Sequence, residues 1–168
     1  MDWREQDPEN CSIGLTLEMV GKPWVLLVLR EVFRGLHRFD EIAQHIGISP
    51  AVLTRDLRML VDAGVLERRP YQEPGQRPRT EYWLTPAGKE LFPVLSALKA
   101  WGDTHLSGPA GPATIHRHRG CGGLTTVALS CEHGHLLESV DEIDVQPGPG
   151  AIPLRMGDDG LEPPTSSV

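Results

Sequence analysis

The sequence has little of what marks a membrane protein or a secreted protein. Its 168 residues contain no run of about eighteen apolar residues, which excludes an ordinary membrane-spanning helix. The longest apolar stretch, WVLLVL at residues 24–29, is followed at once by Arg30 and Glu31. The polar, acidic start MDWREQDPEN is the opposite of a secretory signal. These absences predict a cytoplasmic protein that does not contact a membrane.

Cysteine and positive charge are both scarce. Three cysteines are an odd number, so no disulfide framework is expected. The formal net charge is −7, which taken alone argues against a nucleic-acid partner. The acidity lies mainly in the last third, however, since residues 107–168 hold three basic and eight acidic side chains. Residues 49–80 hold six arginines against four acids and form a locally basic window.

Apolar spacing in the first half predicts a series of short helices. One runs over about residues 11–21, and Pro23 suits the first turn of a second helix that is apolar on most sides and expected to be buried. Asp40 is expected to cap a third helix over residues 41–46.

The fourth predicted helix follows a tight connection and has two distinct faces. Ser49 is its expected N-cap and Pro50 a first-turn residue, and the helix ends before Gly64. Its apolar face consists of Val52, Leu53, Leu57, Leu60 and Val61. Its other face consists of Ala51, Thr54, Arg55, Arg58 and Asp62. A solvated helix with internal ion pairs could show this pattern, and so could a helix that reads DNA.

After Gly64 the apolar period changes from 3.6 to 2. Residues 65–71 and 80–84 are predicted strands joined by the loop 72–79. Thr85 is expected to cap a last helix, and Pro93 to kink or restart it. Arg68 and Arg69 alternate along the first strand beside Glu67, which favours a solvated edge for them.

The predicted segments divide the chain into four parts. Residues 1–106 are expected to form a DNA-binding and dimerisation domain, and residues 107–112 a Gly- and Pro-rich linker. Residues 113–146 are expected to form a small β module, and residues 147–168 a disordered tail.

Helix, helix, tight turn, helix and β-hairpin is the order of a winged helix-turn-helix. The predicted fold class is therefore α+β, mainly α, with helices flanking the winged motif. In that fold the helix after the tight turn enters the major groove, and its exposed side chains reach base edges. A serine-capped helix start suits a phosphate, and loop arginines lie along the DNA backbone. The predicted DNA-binding residues are Ser49, Pro50, Ala51, Thr54, Arg55, Arg58, Arg77 and Arg79.

Four blocks of this sequence resemble the HxlR-type winged-helix transcriptional regulators. They are CSIGLTLEMVGKPWVLLVLREVFRGLHRFDEI (11–42), GISPAVLTRDLRMLVDAGVLERRPY (47–71), RTEYWLTPAGKEL (79–91) and ALKAWG (97–102). The resemblance covers residues 11–106 and implies a homodimer whose first and last helices form the subunit interface. Two-fold symmetry implies a palindromic DNA operator with half-site centres about 34–36 Å apart. Any small-molecule effector is expected to bind between the helices.

The resemblance also assigns roles by position. Trp24 matches the tryptophan that opens the second helix of this family, so we expect it in the core. Ser49, Thr54, Arg55 and Arg58 match the recognition helix, and Arg77 and Arg79 match the wing. Where this chain has Ala51, the family often has a long polar or basic residue, which narrows the set of base contacts here.

Cys11 is open to two interpretations. It is either a small residue buried at a dimer interface, as free cysteines commonly are, or a redox or electrophile sensor. A thiol at a helix start has a stabilised thiolate, and some members of the resembled family sense in this way. The nearby Glu9 works against the thiolate.

The C-terminal part carries a weak metal-binding pattern. HRHRGCGG (116–123) and CEHGH (131–135) could supply a structural zinc site from His118, Cys121, Cys131 and His133, or from His135 in place of His133. Gly134 stands where a regular zinc ribbon has its second cysteine. A hairpin without metal is the alternative, and we expect no cofactor.

No motif indicates an enzyme. Cys121, His118 and Asp141 could serve as a nucleophile, a base and its orienting acid, but nothing in the sequence places them together. The glycines at 120, 122 and 123 do not follow a strand and open a helix, so they form no dinucleotide fingerprint. A DNA-binding regulator is therefore expected, and a winged helix used only for protein contacts is the alternative.

Overall fold

Helices and one hairpin follow one another in the order expected of a winged helix-turn-helix. The structure is a computed structural model that describes residues 3–154. Its helices are α1 (Ser12–Val20), α2 (Pro23–Arg34), α3 (Phe39–Ile46), α4 (Pro50–Asp62), α5 (Pro86–Lys89) and α6 (Phe92–His105). Its strands are β1 (Leu66–Tyr71), β2 (Arg79–Leu84), β3 (Leu129–Ser130) and β4 (Leu136–Leu137). The predicted fold class, α+β and mainly α, is confirmed.

The core is built from the inward faces of α2, α3 and α4 and from the start of β1. Its members are Val20, Val25, Val28, Leu29, Val32, Ile42, Ile48, Leu53, Leu57, Leu60, Val65 and Leu66. Leu53, Leu57 and Leu60 follow helical spacing, so α4 turns one face inward and leaves the other to solvent. The predicted core position of Trp24 is wrong in this protomer, where 38% of the residue is exposed.

The turn between α3 and α4 is short because a glycine ends the first helix. Gly47 has φ 69°, a left-handed conformation that permits a sharp turn after α3. Ser49 then caps α4, its side chain accepting the N–H of Val52 at 3.4 Å. The prediction that Asp40 caps α3 is wrong, since α3 begins at Phe39 and Asp40 lies inside its first turn.

Strands β1 and β2 form an antiparallel hairpin, with Leu66 opposite Leu84 and Tyr71 opposite Arg79. The turn after α2 adds to the outer edge of this hairpin. The N–H of Tyr82 donates to the carbonyl of His37 at 2.8 Å, and Arg38 forms an antiparallel bridge with Glu81. The hairpin is thereby fixed to the helices at its open edge.

The last helix of the winged domain is interrupted where proline predicts it. Thr85 caps α5, accepting the N–H of Gly88 at 3.0 Å, and α6 restarts at Phe92 with Pro93 in its first turn. Leu91 and Leu95 pack on the core. Other apolar side chains of α6 are exposed, namely Val94, Leu98 and Trp101.

The C-terminal part contains little regular structure. Strands β3 and β4 pair over two residues each, and an isolated bridge joins Arg117 to Leu124. Residues 150–154 pair with the N-terminal segment, because the N–H of Asp7 donates to Ile152 O at 2.8 Å and that of Leu154 to Glu5 O at 2.7 Å. The expected disorder is therefore wrong for residues 150–154, and residues 155–168 lie outside the described part.

Within residues 3–154 no single helix is long and apolar enough to cross a membrane. The pair α1 and α2 reaches that length and composition together, but the two helices meet at an angle of 80°.

Candidate nucleic-acid interface

The solvent face of α4 brings four of the predicted DNA-binding residues together. Ala51, Thr54, Arg55 and Arg58 line one shallow surface with Met59, Asp62 and Ala63. Helical spacing places them on successive turns, opposite the leucines that enter the core. The Thr54 hydroxyl donates to the carbonyl of Pro50 at 2.8 Å, which holds this side chain against its own helix.

Fewer backbone N–H groups are available to a phosphate at the start of α4 than its serine cap suggests. Ser49 accepts the N–H of Val52 with its side chain and the N–H of Leu53 with its carbonyl. Pro50 has no N–H to donate. Among the described residues the first turn therefore leaves the N–H of Ala51 for an incoming oxygen.

Arg55 is held by a buried neighbour on the same helix. Its Nε and Nη2 both lie 2.8 Å from Asp56 Oδ1. The Asp56 side chain is fully buried, whereas 59% of the Arg55 side chain is exposed. The guanidinium thus lies at the surface with one edge fixed against a carboxylate that solvent does not reach.

The other predicted arginines are less constrained. Arg58 Nε lies 3.7 Å from Asp62 Oδ2, and Arg79 Nη1 lies 3.3 Å from Asp40 Oδ2. All four of these side chains are more than half exposed, so water competes for both pairs. Arg77, in the loop between β1 and β2, is exposed and has no ion-pair partner among residues 3–154.

Arg38 anchors the wing, and the sequence did not indicate it. Its Nη1 lies 2.8 Å from Glu73 Oε1 and its Nε 3.4 Å from Glu81 Oε1. The guanidinium also lies 4.5 Å from the centre of the Tyr71 ring. Desolvation acts to lower the pKa of Arg38, but hydrogen bonds to Glu81 and Glu73 outweigh it and raise the pKa. Both ends of the wing loop are thereby tied to the turn before α3.

One face of the wing is occupied by intramolecular contacts. Arg69 binds Glu67 at 2.6 Å and lies over the ring of Trp83, which stacks on His37. Arg69 therefore lies at an exposed edge of the wing, as expected, and its charge is paired with that of Glu67.

The three cysteines are separated in the structure. Cys11 is exposed at the start of α1 rather than buried in this protomer. Cys121 lies 3.3 Å from His118 Nδ1, and Cys131 lies 3.6 Å from His135 Nδ1. No three histidine, cysteine or acidic side chains converge on a metal position within residues 3–154. The described residues therefore do not bring His118, Cys121, Cys131 and His133 together as a zinc site.

Comparisons with known proteins agree with this architecture. Residues 19–109 match the family model described as HxlR-like helix-turn-helix. An uncharacterized HTH-type transcriptional regulator of Mycobacterium tuberculosis strain H37Rv is 41% identical over 142 residues, which are 84% of this chain and 89% of that protein.

Two solved structures are similar over most of the chain. The candidate transcription factor PA1607 has a TM-score of 0.73 and 29% identity, with 82% of this chain and 95% of that one covered. The candidate transcription factor PA1374 of Pseudomonas aeruginosa has a TM-score of 0.58 and 34% identity, covering 84% and 95%. In both comparisons the covered part of this chain is longer than the winged domain. The similarity therefore extends into the C-terminal part.

Proposed function

The chain belongs to the HxlR-like helix-turn-helix family of transcriptional regulators, and on this basis we propose that it acts as a homodimer on a palindromic DNA operator. The observation that carries the proposal is the solvent face of α4. It presents a hydroxyl and two arginines on successive turns, directly after a glycine-ended turn and before a hairpin. A solvated helix could also carry these side chains, but their position between a short turn and a hairpin is the one from which a winged helix contacts a major groove.

The recognition helix and the wing have different tasks in this proposal. Arg55 and Arg58 contact base edges in the major groove, with Thr54 and Ala51 beside them. Arg77 and Arg79 contact phosphates flanking the half-site and carry no base preference. Asp40 releases Arg79 at little cost when DNA arrives, because both partners are exposed.

An exposed apolar surface supports the dimer. On α1, Ile13 is 70% and Leu17 57% exposed, and on α6, Leu98 is 52% and Trp101 60% exposed. Apolar side chains in such numbers on two helices that both contact α2 mark an interaction surface. We assign this surface to the second subunit, which sets the two α4 helices about 34–36 Å apart along the DNA.

We place the effector site beside α6 rather than between the winged-domain helices. A cavity of about 470 Å³ lies between α6 and residues 112–127, a volume suited to a small organic ligand. Phe92, Ile115 and Leu124 supply apolar walls, and the paired Lys99 and Asp103 lie at one side. A neutral aromatic molecule with a hydroxyl suits this lining, because the ion pair leaves no net charge to match.

The effector site is tested by calorimetric titration with 2-naphthol. Ala100→Phe fills the cavity and should abolish binding, whereas Thr104→Phe, on the same helix but outside the cavity, should not. Equal binding by both variants would reject this site.

The DNA-binding function is tested by fluorescence anisotropy on three proteins, the wild type and the variants Arg58→Ala and Arg77→Ala. The specific duplex is one that the wild type selects from a random library, and a shuffled duplex is the control. Arg58→Ala should lose about 1–3 kcal/mol on the selected duplex and relax base preference, while Arg77→Ala should weaken both duplexes alike and lower the salt slope by about 1.

The two alternatives predict other results. A winged helix used only for protein contacts would bind neither duplex at any salt concentration. A sensor acting through Cys11 would lose operator binding on diamide treatment, and Cys11→Ser would remove that response. Such a regulator acts where the chromosome is, so we also propose a cytoplasmic, non-enzymatic protein.

A further inference from the structure

Asp56 differs from every other acidic partner of the predicted DNA-binding arginines. Its side chain has no exposed surface, whereas those of Asp62 and Asp40 are 68% and 80% exposed. Its Oδ1 holds both Nε and Nη2 of Arg55 at 2.8 Å. Its Oδ2 is buried and has no hydrogen-bond partner among the described residues. Within residues 3–154, Arg55 is therefore the only hydrogen-bond or ion-pair partner of the Asp56 carboxylate.

This dependence fixes what Arg55 can do when DNA approaches. Moving the guanidinium from Asp56 to a phosphate would leave a buried carboxylate without its only partner, which is strongly unfavourable. Arg55 therefore stays on Asp56 in the complex. Arg58 and Arg79 are bound to exposed aspartates and can exchange these partners freely.

The hydrogen bonds that remain to Arg55 suit a base more than a phosphate. A guanidinium has five N–H groups, of which Asp56 takes one at Nε and one at Nη2. The end of the fork, at Nη1 and Nη2, stays available for the N7 and O6 acceptors of guanine. The pair is neutral as a whole, so it adds little to the attraction that all DNA sequences share.

We propose that Asp56 is a positioning residue that determines specificity, because it directs Arg55 to a guanine edge and withholds it from the phosphate backbone. This inference rests on the proposed DNA-binding function. It assigns to Asp56 a role that its burial in α4 alone would not require.

The test replaces Asp56 with asparagine, which keeps the shape and the Oδ1 acceptor but removes the charge. Asp62→Asn is the matched control, since it removes one charge from the same helix at an exposed pair. Anisotropy is measured on the duplex that the wild type selects from a random library and on its shuffled counterpart, at two salt concentrations.

Both variants should bind shuffled DNA more tightly than the wild type, with a steeper salt dependence. Asp56→Asn alone should also lower the preference for the selected duplex, by roughly tenfold. A structural defect would instead weaken both duplexes together. Unchanged preference in Asp56→Asn would overturn the inference, provided that the wild type discriminates. If the wild type itself discriminates nothing, the proposed function is wrong.

A second measurement covers the case in which Asp56→Asn folds poorly. Arg55→Lys keeps the positive charge on Asp56 but replaces the fork by a point charge. It should lower the preference for the selected duplex by roughly tenfold while affinity for shuffled DNA stays the same. Full preference in Arg55→Lys would overturn the inference as well.

Discussion

Two carboxylates, Glu31 and Asp56, lie fully buried in a small domain whose core is otherwise apolar. Glu31 in α2 lies 2.5 Å from Arg30, 3.6 Å from Arg34 and 2.9 Å from His45 Nδ1. The His45 contact joins α2 to α3. Both buried acids are therefore held by cations on the rim of the core.

Glu31→Ala should destabilise the fold by roughly 1.5–3 kcal/mol, because its hydrogen bond to the Arg30 guanidinium and its ion pair with Arg34 are lost at once. Urea denaturation measures the free energy of unfolding. Asp62→Ala, which removes an exposed acid from α4, should change that free energy by less than about 0.5 kcal/mol. Equal effects in the two variants would show that the Glu31 cluster does not stabilise the domain.

Cys131 should react with alkylating agents at lower pH in the folded protein than in the unfolded chain. Backbone N–H groups of His133 and His135 hydrogen-bond to its sulfur and lower the pKa of Cys131. A lower pKa leaves more thiolate, so its alkylation rate should rise at lower pH than in an unfolded reference. Iodoacetamide labelling of the Cys11→Ser, Cys121→Ser double variant across pH 6–9, native and in urea, measures this difference, and coincident profiles would contradict it.

The sequence predicts the exposed residues of this surface better than the buried ones. Helical spacing alone sets Thr54, Arg55 and Arg58 opposite the leucines, and the structure places them there. The same spacing puts Asp56 three residues after Leu53 and four before Leu60, on the apolar face. This spacing indicates a buried position for Asp56, whereas a charged side chain ordinarily indicates exposure to solvent. The partner Arg55 could not be deduced, since adjacent helical residues do not normally face each other.

At the scale of elements, the winged domain depends on how closely α5 approaches the hairpin. Thr85 caps α5 and also donates to the carbonyl of Gly64 at 2.6 Å, which draws the helix onto the strand ends. Gly88 is the point of contact. A Cβ placed on it would lie 2.1 Å from the carbonyl oxygen of Val65. Only glycine fits between this helix and the sheet.

Gly88→Ala should therefore displace α5 and destabilise the domain, by about 1–3 kcal/mol, as overpacking does elsewhere. Gly102→Ala is the matched control, because a Cβ there meets nothing within 4 Å and lies inside α6. It should stabilise the protein by about 0.5–1 kcal/mol. Thermal unfolding of both variants measures the two shifts, and shifts of the same sign would contradict this packing.

The sequence predicts the boundaries of helices correctly where a single residue determines them. Ser49, Thr85 and Pro93 start or restart helices as predicted, since caps and prolines act on their own turn. Asp40 failed as a cap because Arg38 holds the preceding turn against Glu73 and Glu81, and α3 begins two residues earlier than predicted. The contact between Arg38 and Glu81 joins residues that are 43 positions apart in the chain, so local sequence patterns do not predict it.

At the scale of the whole molecule, the apolar faces of α1 and α6 remain open in one protomer. Their location on the helices flanking the winged motif suits a two-fold contact. Trp24, also partly exposed, lies in the first turn of α2, directly after α1. The missing burial of this residue is therefore consistent with a second subunit.

Leu98→Glu should convert the proposed dimer into a monomer and weaken operator binding at least tenfold, because the two proposed half-sites would then be bound separately. Sedimentation velocity measures the oligomeric state, and anisotropy measures the affinity. Thr104→Glu adds the same charge to α6 outside the exposed apolar residues and should leave the dimer intact. A dimeric Leu98→Glu would place the interface elsewhere.

The contacts between the N-terminal segment and residues 150–154 could not be predicted, because they join parts of the chain that share no sequence signal. Asn10 Nδ2 donates to the carbonyl of Gly150 across 140 residues. Ribosomes release the chain from its N-terminus. The segment before α1 therefore emerges long before residues 150–154, with which it pairs. The winged domain can fold during synthesis, whereas the segment before α1 gains these contacts only afterwards. The pairing of the N-terminal segment with residues 150–154 therefore completes the fold only after the winged domain has formed.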